Sequence, residues 1–170
     1  MKNQSTRSIL IDPIAKAVTE IMVPRIGANY HIHKLIGCDC CDHIDFGSGV
    51  MLSVDDECLS HITREAELPH NVTQGFFVIH LNGAPRNLIA GKGVLWAYDA
   101  QGETIDLPAW VTPTLIQQHV KFVADHHRNA AADLCEEILA HAGIALGQEQ
   151  IQLHQRRYAD IVRRAMALTI

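Results

Sequence analysis

Hydrophobic and polar positions alternate along several stretches before residue 110, and this period of two predicts β-strands. Two such stretches, residues 8–12 and 15–23, are joined at Asp12-Pro13, a dipeptide that favours a turn, so they predict an opening hairpin. An extended arm followed by a short helix is the alternative for this part of the chain. The clearest hairpin lies within residues 43–54, where Gly47-Ser48-Gly49 turns the chain. Further strand-like stretches follow at residues 75–81, 88–98 and 103–107.

Helical spacing of apolar residues marks other stretches. Residues 29–36 predict a helix of about two turns that ends at Gly37, because glycine favours the position after a helix. Thr112-Pro113 predicts a helix start, since the hydroxyl caps the helix and proline suits its first position. Apolar side chains recur at helical spacing through residues 131–142 and again through residues 148–167.

Together these patterns predict an α+β protein, in which a mostly antiparallel sheet of about five to seven strands is followed by two or three C-terminal helices. We expect residues 1–110 to form a mostly-β domain, and residues 111–170 to form a helical segment packed on that domain or on a partner. Inside the stretch 88–98, Gly91 and Gly93 indicate a bulge or a position of close approach.

The composition limits the class of protein. Of the 170 residues, 48% are hydrophobic, which is enough to build the core of one domain. No apolar run approaches the roughly 20 residues of a membrane-spanning helix, and the N-terminal apolar patch is too short for a signal peptide. We therefore expect a cytoplasmic protein, with no membrane partner and with its cysteines as reduced thiols. The net charge of −5 argues against nucleic acid as a partner, because nucleic-acid binders are normally basic.

The sharpest chemical motif is a cluster of thiols and an imidazole at Cys38, Cys40, Cys41 and His43. Thiolate and imidazole are the ligands that zinc prefers, and four of them can complete a tetrahedral site. These four residues are therefore the predicted zinc ligands, and zinc is the cofactor that the sequence suggests. The spacing argues against the site, because a second Cys-x2-Cys pair is missing and adjacent cysteines on a strand point to opposite faces. The alternative is that the thiols are small core residues.

Carboxylates surround the same part of the chain. Asp55-Asp56-Glu57 follows a predicted strand, and Asp39, Asp42 and Asp45 lie just before that strand's hairpin. Carboxylate oxygens are suitable ligands for a divalent cation. A carboxylate trio at the end of a strand is also typical of a solvated turn, so both interpretations stay open.

Five segments, taken in order, carry a resemblance to a known family: Ile9-Leu-Ile-Asp12-Pro13, Leu35-Ile-Gly-Cys-Asp39, Leu52-Ser-Val-Asp-Asp-Glu57, Phe76-Phe77 and Leu88-Ile-Ala-Gly-Lys-Gly-Val94. The set resembles the family catalogued as domain of unknown function 3846, whose uncharacterised members come from phages, plasmids and other mobile elements. The resemblance covers about residues 7–107 and leaves the helical tail outside. It implies a small accessory protein with no assigned reaction. Since Cys40, Cys41 and Cys58 are not typical of the family, it does not support a family-wide metal site.

We therefore predict a non-enzymatic accessory binding protein that forms a homo-oligomer, because amphipathic helices after a compact sheet often form dimer or partner surfaces. The mobile-element setting suggests a host protein or a small ligand as the target, with counter-defence by inhibition or by sequestration, for example of a nucleotide signal. The alternatives are a zinc-binding protein that uses the cluster at residues 38–43, and an enzyme of unknown type with a site near residues 31–57.

Overall fold

A computed structural model of the protein describes residues 4–58, 74–81, 87–142 and 148–170. Strands and helices follow one another along these ranges without a regular alternation. In chain order they are β1 (Ser5–Asp12), β2 (Ala17–Pro24), α1 (Ala28–Ile36), β3 (Cys41–Asp45), β4 (Val50–Asp55), β5 (Phe76–Ile79), β6 (Asn87–Ala90), β7 (Gly93–Tyr98), β8 (Thr104–Ile105), α2 (Pro113–His119), β9 (Val120–Phe122), a 3₁₀ turn (Asp125–His127), α3 (Arg128–Ala142) and α4 (Gln148–Met166).

The larger of two antiparallel sheets has the strand order β2-β1-β7-β4-β3, with β8 paired to β7. Its two hairpins are the ones that alternation predicts, and both are confirmed. In the first, the Asp12 carboxylate accepts hydrogen bonds from the backbone N–H groups of Ile14 and Ala15, at 2.9 and 3.0 Å, and so shapes the turn. In the second, His43 lies opposite Ser53.

The smaller sheet has the order β6-β5-β9. The C-terminus extends it, since Thr169 forms an antiparallel bridge with Val123 and the Ile170 N–H donates to the Phe122 carbonyl at 3.0 Å. Because side chains alternate along a strand, β5 has two apolar faces. Phe77 and Ile79 pack towards the larger sheet, whereas Phe76 and Val78 pack against the C-terminal helices.

The burial pattern therefore arranges the described residues in four layers: α1, the larger sheet, the smaller sheet, and α3 with α4. Between the two sheets, Ile9, Leu52 and Leu95 pack against the smaller sheet and Ile116 of α2. The outer face of the larger sheet is covered by α1, through side chains such as Ile32. This α1 layer is short, and its C-terminal end lies beside the ends of β3 and β4.

The α+β class is confirmed, but two details of the prediction are wrong. Residues 88–98 do not form one strand, because Gly91 has a left-handed φ of +75° and divides them into β6 in one sheet and β7 in the other. The segment 111–170 is not purely helical, since it contributes β9, whose Lys121 lies opposite Val78 of β5. The helices of this segment pack on the smaller sheet, and the prediction of a single sheet missed that sheet.

The prediction of a close approach at Gly93 is confirmed, and the groups that approach it are side chains. A Cβ atom on this residue would lie 2.8 Å from Leu52 Cδ1 and 3.2 Å from Phe77 Cζ, so glycine lets the two sheets pack at this point. Asn82-Gly83, a dipeptide that predicts a tight turn, and most of the stretch 58–69, which predicts a short helix or a loop, lie outside the described residues. Among the helices that the structure describes, none has both the length and the apolar character needed to span a membrane.

Candidate functional site

A cleft of about 370 Å³ opens where the C-terminal half of α1 meets the ends of β3 and β4. We call it the α1 cleft. Its volume falls in the range of small-molecule sites, about 300–1,000 Å³. The lining comes from α1, from the turn that follows it and from the end of β4, and consists of Tyr30, His33, Lys34, Gly37, Cys38, Asp39, Asp55 and Glu57.

The first wall of the α1 cleft follows from helix geometry. Tyr30, Lys34 and Gly37 are three or four residues apart, so they lie on one side of the helix, as its spacing predicts. The Lys34 ammonium lies 5.3 Å from the centroid of the Tyr30 ring, within the range of a cation–π contact. Tyr30 is nevertheless 62% exposed, and its ring is therefore available at the mouth of the cleft.

The turn after α1 is fixed by a glycine. Gly37 adopts a left-handed φ of +90°, and its N–H donates to the His33 carbonyl at 2.8 Å, which ends the helix. The His33 ring then approaches the Asp39 carbonyl, with 3.0 Å between Nδ1 and the oxygen. This contact holds Cys38 and Asp39 at the edge of the cleft.

The third wall is the end of the β3–β4 hairpin. Asp55 accepts a hydrogen bond from the Glu57 N–H at 3.0 Å, so both carboxylates are held in one turn. The Asp56 N–H approaches the Cys40 carbonyl at 3.4 Å and links this turn to the chain before β3. Of the eight lining residues, three carry carboxylates and one carries an ammonium group, which makes the cleft acidic.

Two thiols meet beside the cleft. The Sγ atoms of Cys38 and Cys41 are 3.2 Å apart, and either thiol can donate to the other. Burial raises the pKa of Cys41, and the Cys38 sulfur and the carboxylates of Asp55 and Asp56 raise it further. Burial also raises the pKa of Cys38, although the hydrogen bond with Cys41 lowers it in part. Both groups are therefore protonated thiols at neutral pH.

The four predicted zinc ligands are not brought together as a set. Cys38 and Cys41 are in contact, but Cys40 is exposed and the Nδ1 atom of His43 lies 2.9 Å from the Ser53 hydroxyl. Over the ranges that the structure covers, no three His, Cys, Asp or Glu side chains are grouped so that they could hold a metal ion. The zinc site stays a prediction, with two of its four residues adjacent.

The carboxylates that the sequence suggested as cation ligands are likewise not all brought together. Asp39 joins Asp55 and Glu57 around the α1 cleft. Asp42 and Asp45 have local roles, because their carboxylates accept hydrogen bonds from the N–H groups of His43 and Gly47, at 2.8 and 2.7 Å. Helical spacing over residues 29–36 predicts that Tyr30 and Lys34 share one side of the helix, but nothing in the pattern connects them with these carboxylates.

Comparisons with models of known protein families, with curated proteins and with solved structures give no match for this chain. The resemblance to the mobile-element family described above therefore stays a prediction. The functional argument below rests on the geometry of the site.

Proposed function

We propose that the chain is a binding protein that takes a small, positively charged molecule into the α1 cleft. The observation that supports this proposal is the composition of the cleft walls, where the carboxylates of Asp39, Asp55 and Glu57 outnumber the single ammonium of Lys34. Charges of one sign that line a concave surface raise the local concentration of ligands of the opposite sign.

The exposed ring of Tyr30 supports the same ligand class. The face of an aromatic ring attracts cations, and Lys34 already lies 5.3 Å from this ring's centroid. An amine or guanidinium that enters the cleft can share the ring with Lys34 and pair with the carboxylates opposite. A nucleotide is a poor fit, because three carboxylates repel phosphate groups at this range.

The biological setting of this proposal comes from the family resemblance. In that setting, a small accessory protein of a phage or plasmid sequesters a cationic host metabolite or occupies a host factor. This form of counter-defence agrees with a ligand-binding cleft. Self-association of the chain is part of the same proposal, and ligand binding in the α1 cleft does not depend on it.

Agmatine is a suitable probe, because it carries an amine at one end and a guanidinium at the other. We expect isothermal titration calorimetry to detect its binding to the wild-type chain, with affinity that falls as ionic strength rises. Asp55→Asn and Glu57→Gln each remove one charge and retain the shape of the side chain. We expect each to weaken binding about tenfold or more, because a charged hydrogen bond is lost.

Asp133→Asn is the matched control, because it makes the same charge change on an exposed residue of α3, in a different layer of the fold. We expect it to bind agmatine like the wild type. Equal weakening by Asp133→Asn and Asp55→Asn would show a response to net charge and refute the site. Absence of binding by both agmatine and spermidine to the wild-type chain would refute the ligand class.

A second candidate function is zinc binding, favoured by the 3.2 Å separation of the Cys38 and Cys41 sulfur atoms. Its remaining ligands would be Cys40 and His43, whose Nδ1 can keep its contact with Ser53 while Nε2 binds the metal. Native mass spectrometry of untagged protein purified without chelator tests it. One zinc per chain, lost in Cys41→Ser, would support this candidate, and a metal-free chain would contradict it.

A further inference from the structure

We propose that Cys38 and Cys41 are a modification site that forms a reversible intramolecular disulfide by exchange with a low-molecular-weight disulfide such as oxidised glutathione. The inference is independent of the ligand proposed for the α1 cleft, because it concerns only the two thiols and their immediate surroundings. It also differs from the zinc hypothesis, since it uses two of the cysteines and requires no imidazole.

The geometry favours a bond between these two sulfur atoms. They are 3.2 Å apart as free thiols, so they need to approach by about 1 Å to reach the S–S bond length of about 2.05 Å. Cys38 lies between α1 and β3 and belongs to neither element, whereas Cys41 is the first residue of β3 and pairs with Asp55, so the approach falls mainly to Cys38.

The two thiols differ in access, and this difference sets the order of reaction. Cys38 lines the α1 cleft, where a disulfide molecule can reach it. Cys41 is half-buried and packs, like Cys38, against the apolar cluster under α1, but it does not line the cleft. Cys38 is therefore the attacking residue, and Cys41 completes the reaction.

The chemical step balances as two successive exchanges. The Cys38 thiolate attacks one sulfur of the glutathione disulfide, which forms a mixed disulfide and releases one glutathione thiolate. The Cys41 thiolate then attacks Cys38 Sγ, which forms the Cys38–Cys41 bond and releases the second glutathione. The protein loses two hydrogen atoms and two electrons, and the glutathione disulfide gains them as two thiols.

The surroundings make this exchange slow at neutral pH. The pair lies at the C-terminal end of α1, where the helix dipole disfavours a thiolate, whereas reactive Cys-x2-Cys pairs lie at helix N-termini. Burial raises the pKa of both thiols, and the carboxylates of Asp39, Asp55 and Asp56 add to this effect. His33, Lys34 and Glu57 are the other titratable groups on the cleft wall. The site therefore suits a stable modification better than rapid turnover.

The test exposes the reduced, full-length chain to oxidised glutathione under native conditions and follows its mass. We expect a loss of about 2 Da, as two hydrogens leave. An endoproteinase that cleaves before aspartate cuts at Asp39 and Asp42, so Cys38 ends one peptide and Asp39-Cys40-Cys41 forms another. Fragment ions of the linked peptides in tandem mass spectrometry then assign the bond to Cys41 or to Cys40. This mapping on the wild-type chain does not depend on whether a variant folds.

Cys40→Ser is the matched control, because Cys40 is exposed and lies between the two partners in the chain. We expect it to form the bond as the wild type does. We expect Cys38→Ser to react at least about tenfold more slowly, and Cys41→Ser to stop at the mixed disulfide with glutathione. A wild-type chain that keeps all its thiols reduced, or a bond that maps to Cys40, would overturn the proposal.

Discussion

The hydroxyl oxygen of Ser53 accepts a hydrogen bond from the indole N–H of Trp96 at 2.7 Å, and lies 2.9 Å from Nδ1 of His43. Ser53 is fully buried and Trp96 is nearly so. Ser8, in β1 of the same sheet, is equally buried, but its hydroxyl has no hydrogen-bond partner among the residues that the structure describes. The two serines therefore make opposite contributions to stability.

Ser53→Ala and Ser8→Ala make the same chemical change in one sheet. We expect Ser53→Ala to lower the free energy of unfolding by about 1–3 kcal/mol, because it leaves the Trp96 N–H buried without a partner. We expect Ser8→Ala to be neutral or to stabilise the fold by up to about 1 kcal/mol, because it removes a buried hydroxyl that has no partner. Urea denaturation followed by circular dichroism measures both, and equal losses would contradict the assignment.

Arg7 connects β1 to the segment before α2. Its guanidinium donates to the backbone carbonyls of Leu107, Pro108 and Val111, at 2.7, 2.7 and 2.9 Å. Arg7→Met removes all three of these hydrogen bonds, although the Pro108 carbonyl still accepts from the Val111 N–H at 2.8 Å. We expect the variant to lower the free energy of unfolding by about 3 kcal/mol. Thermal or urea denaturation of the variant tests this expectation.

Glu20→Gln removes the ion pair of Arg7 and leaves its hydrogen bonds to the three carbonyls, so the two contributions to stability can be compared. Glu20 lies 3.2 Å from the guanidinium but is about half exposed, so the pair contributes little. We expect its loss to change the free energy of unfolding by less than about 1 kcal/mol. A larger effect for Glu20→Gln than for Arg7→Met would mean that the ion pair, not the carbonyl contacts, holds this segment.

Asp12 makes stability depend on pH in the acid range. Burial raises the pKa of its carboxyl, but the Ala15 N–H hydrogen bond and the Lys92 ammonium at 3.3 Å outweigh burial and hold this pKa below its usual value of 3.8. Because the folded-state pKa is lowered, the stabilisation is fully present above the unfolded-state pKa and is lost as pH falls through the folded-state pKa.

Asp12→Asn keeps the hydrogen-bond acceptor and removes the charge. We expect the wild type to be more stable than Asp12→Asn by about 1 kcal/mol near neutral pH, and this difference to vanish at about pH 2. Urea denaturation at both pH values measures the difference. A difference that stays constant with pH would show that the Asp12 charge is not the cause.

Local features of the fold could be predicted from the sequence because their causes are local. Asp12-Pro13 forms its turn with its own neighbours, and Gly37 ends α1 through the backbone bond to His33. Thr112 caps α2, since its hydroxyl accepts from the Leu115 N–H at 3.2 Å. In each case the residues that decide the structure are close together in the chain.

Features that depend on distant partners could not be predicted in this way. The short strand β9 lies in a stretch where Leu115, His119 and Phe122 recur at helical spacing. It is a strand because it pairs with β5. The α1 cleft likewise depends on α1 packing over the larger sheet, which brings Tyr30 and Lys34 near Asp55. The pattern of each segment alone contains neither contact.

Amide chemical-shift changes during an agmatine titration of the ¹⁵N-labelled chain test the central claim most directly, because they locate the ligand as well as detect it. We expect saturable amide chemical-shift changes concentrated in the second half of α1, in residues 37–39 and in residues 55–57. We also expect Asp55→Asn to reduce these shifts and Asp133→Asn to leave them unchanged. Shifts centred on another part of the molecule, or none at saturating agmatine, would contradict the assignment of the α1 cleft as the binding site.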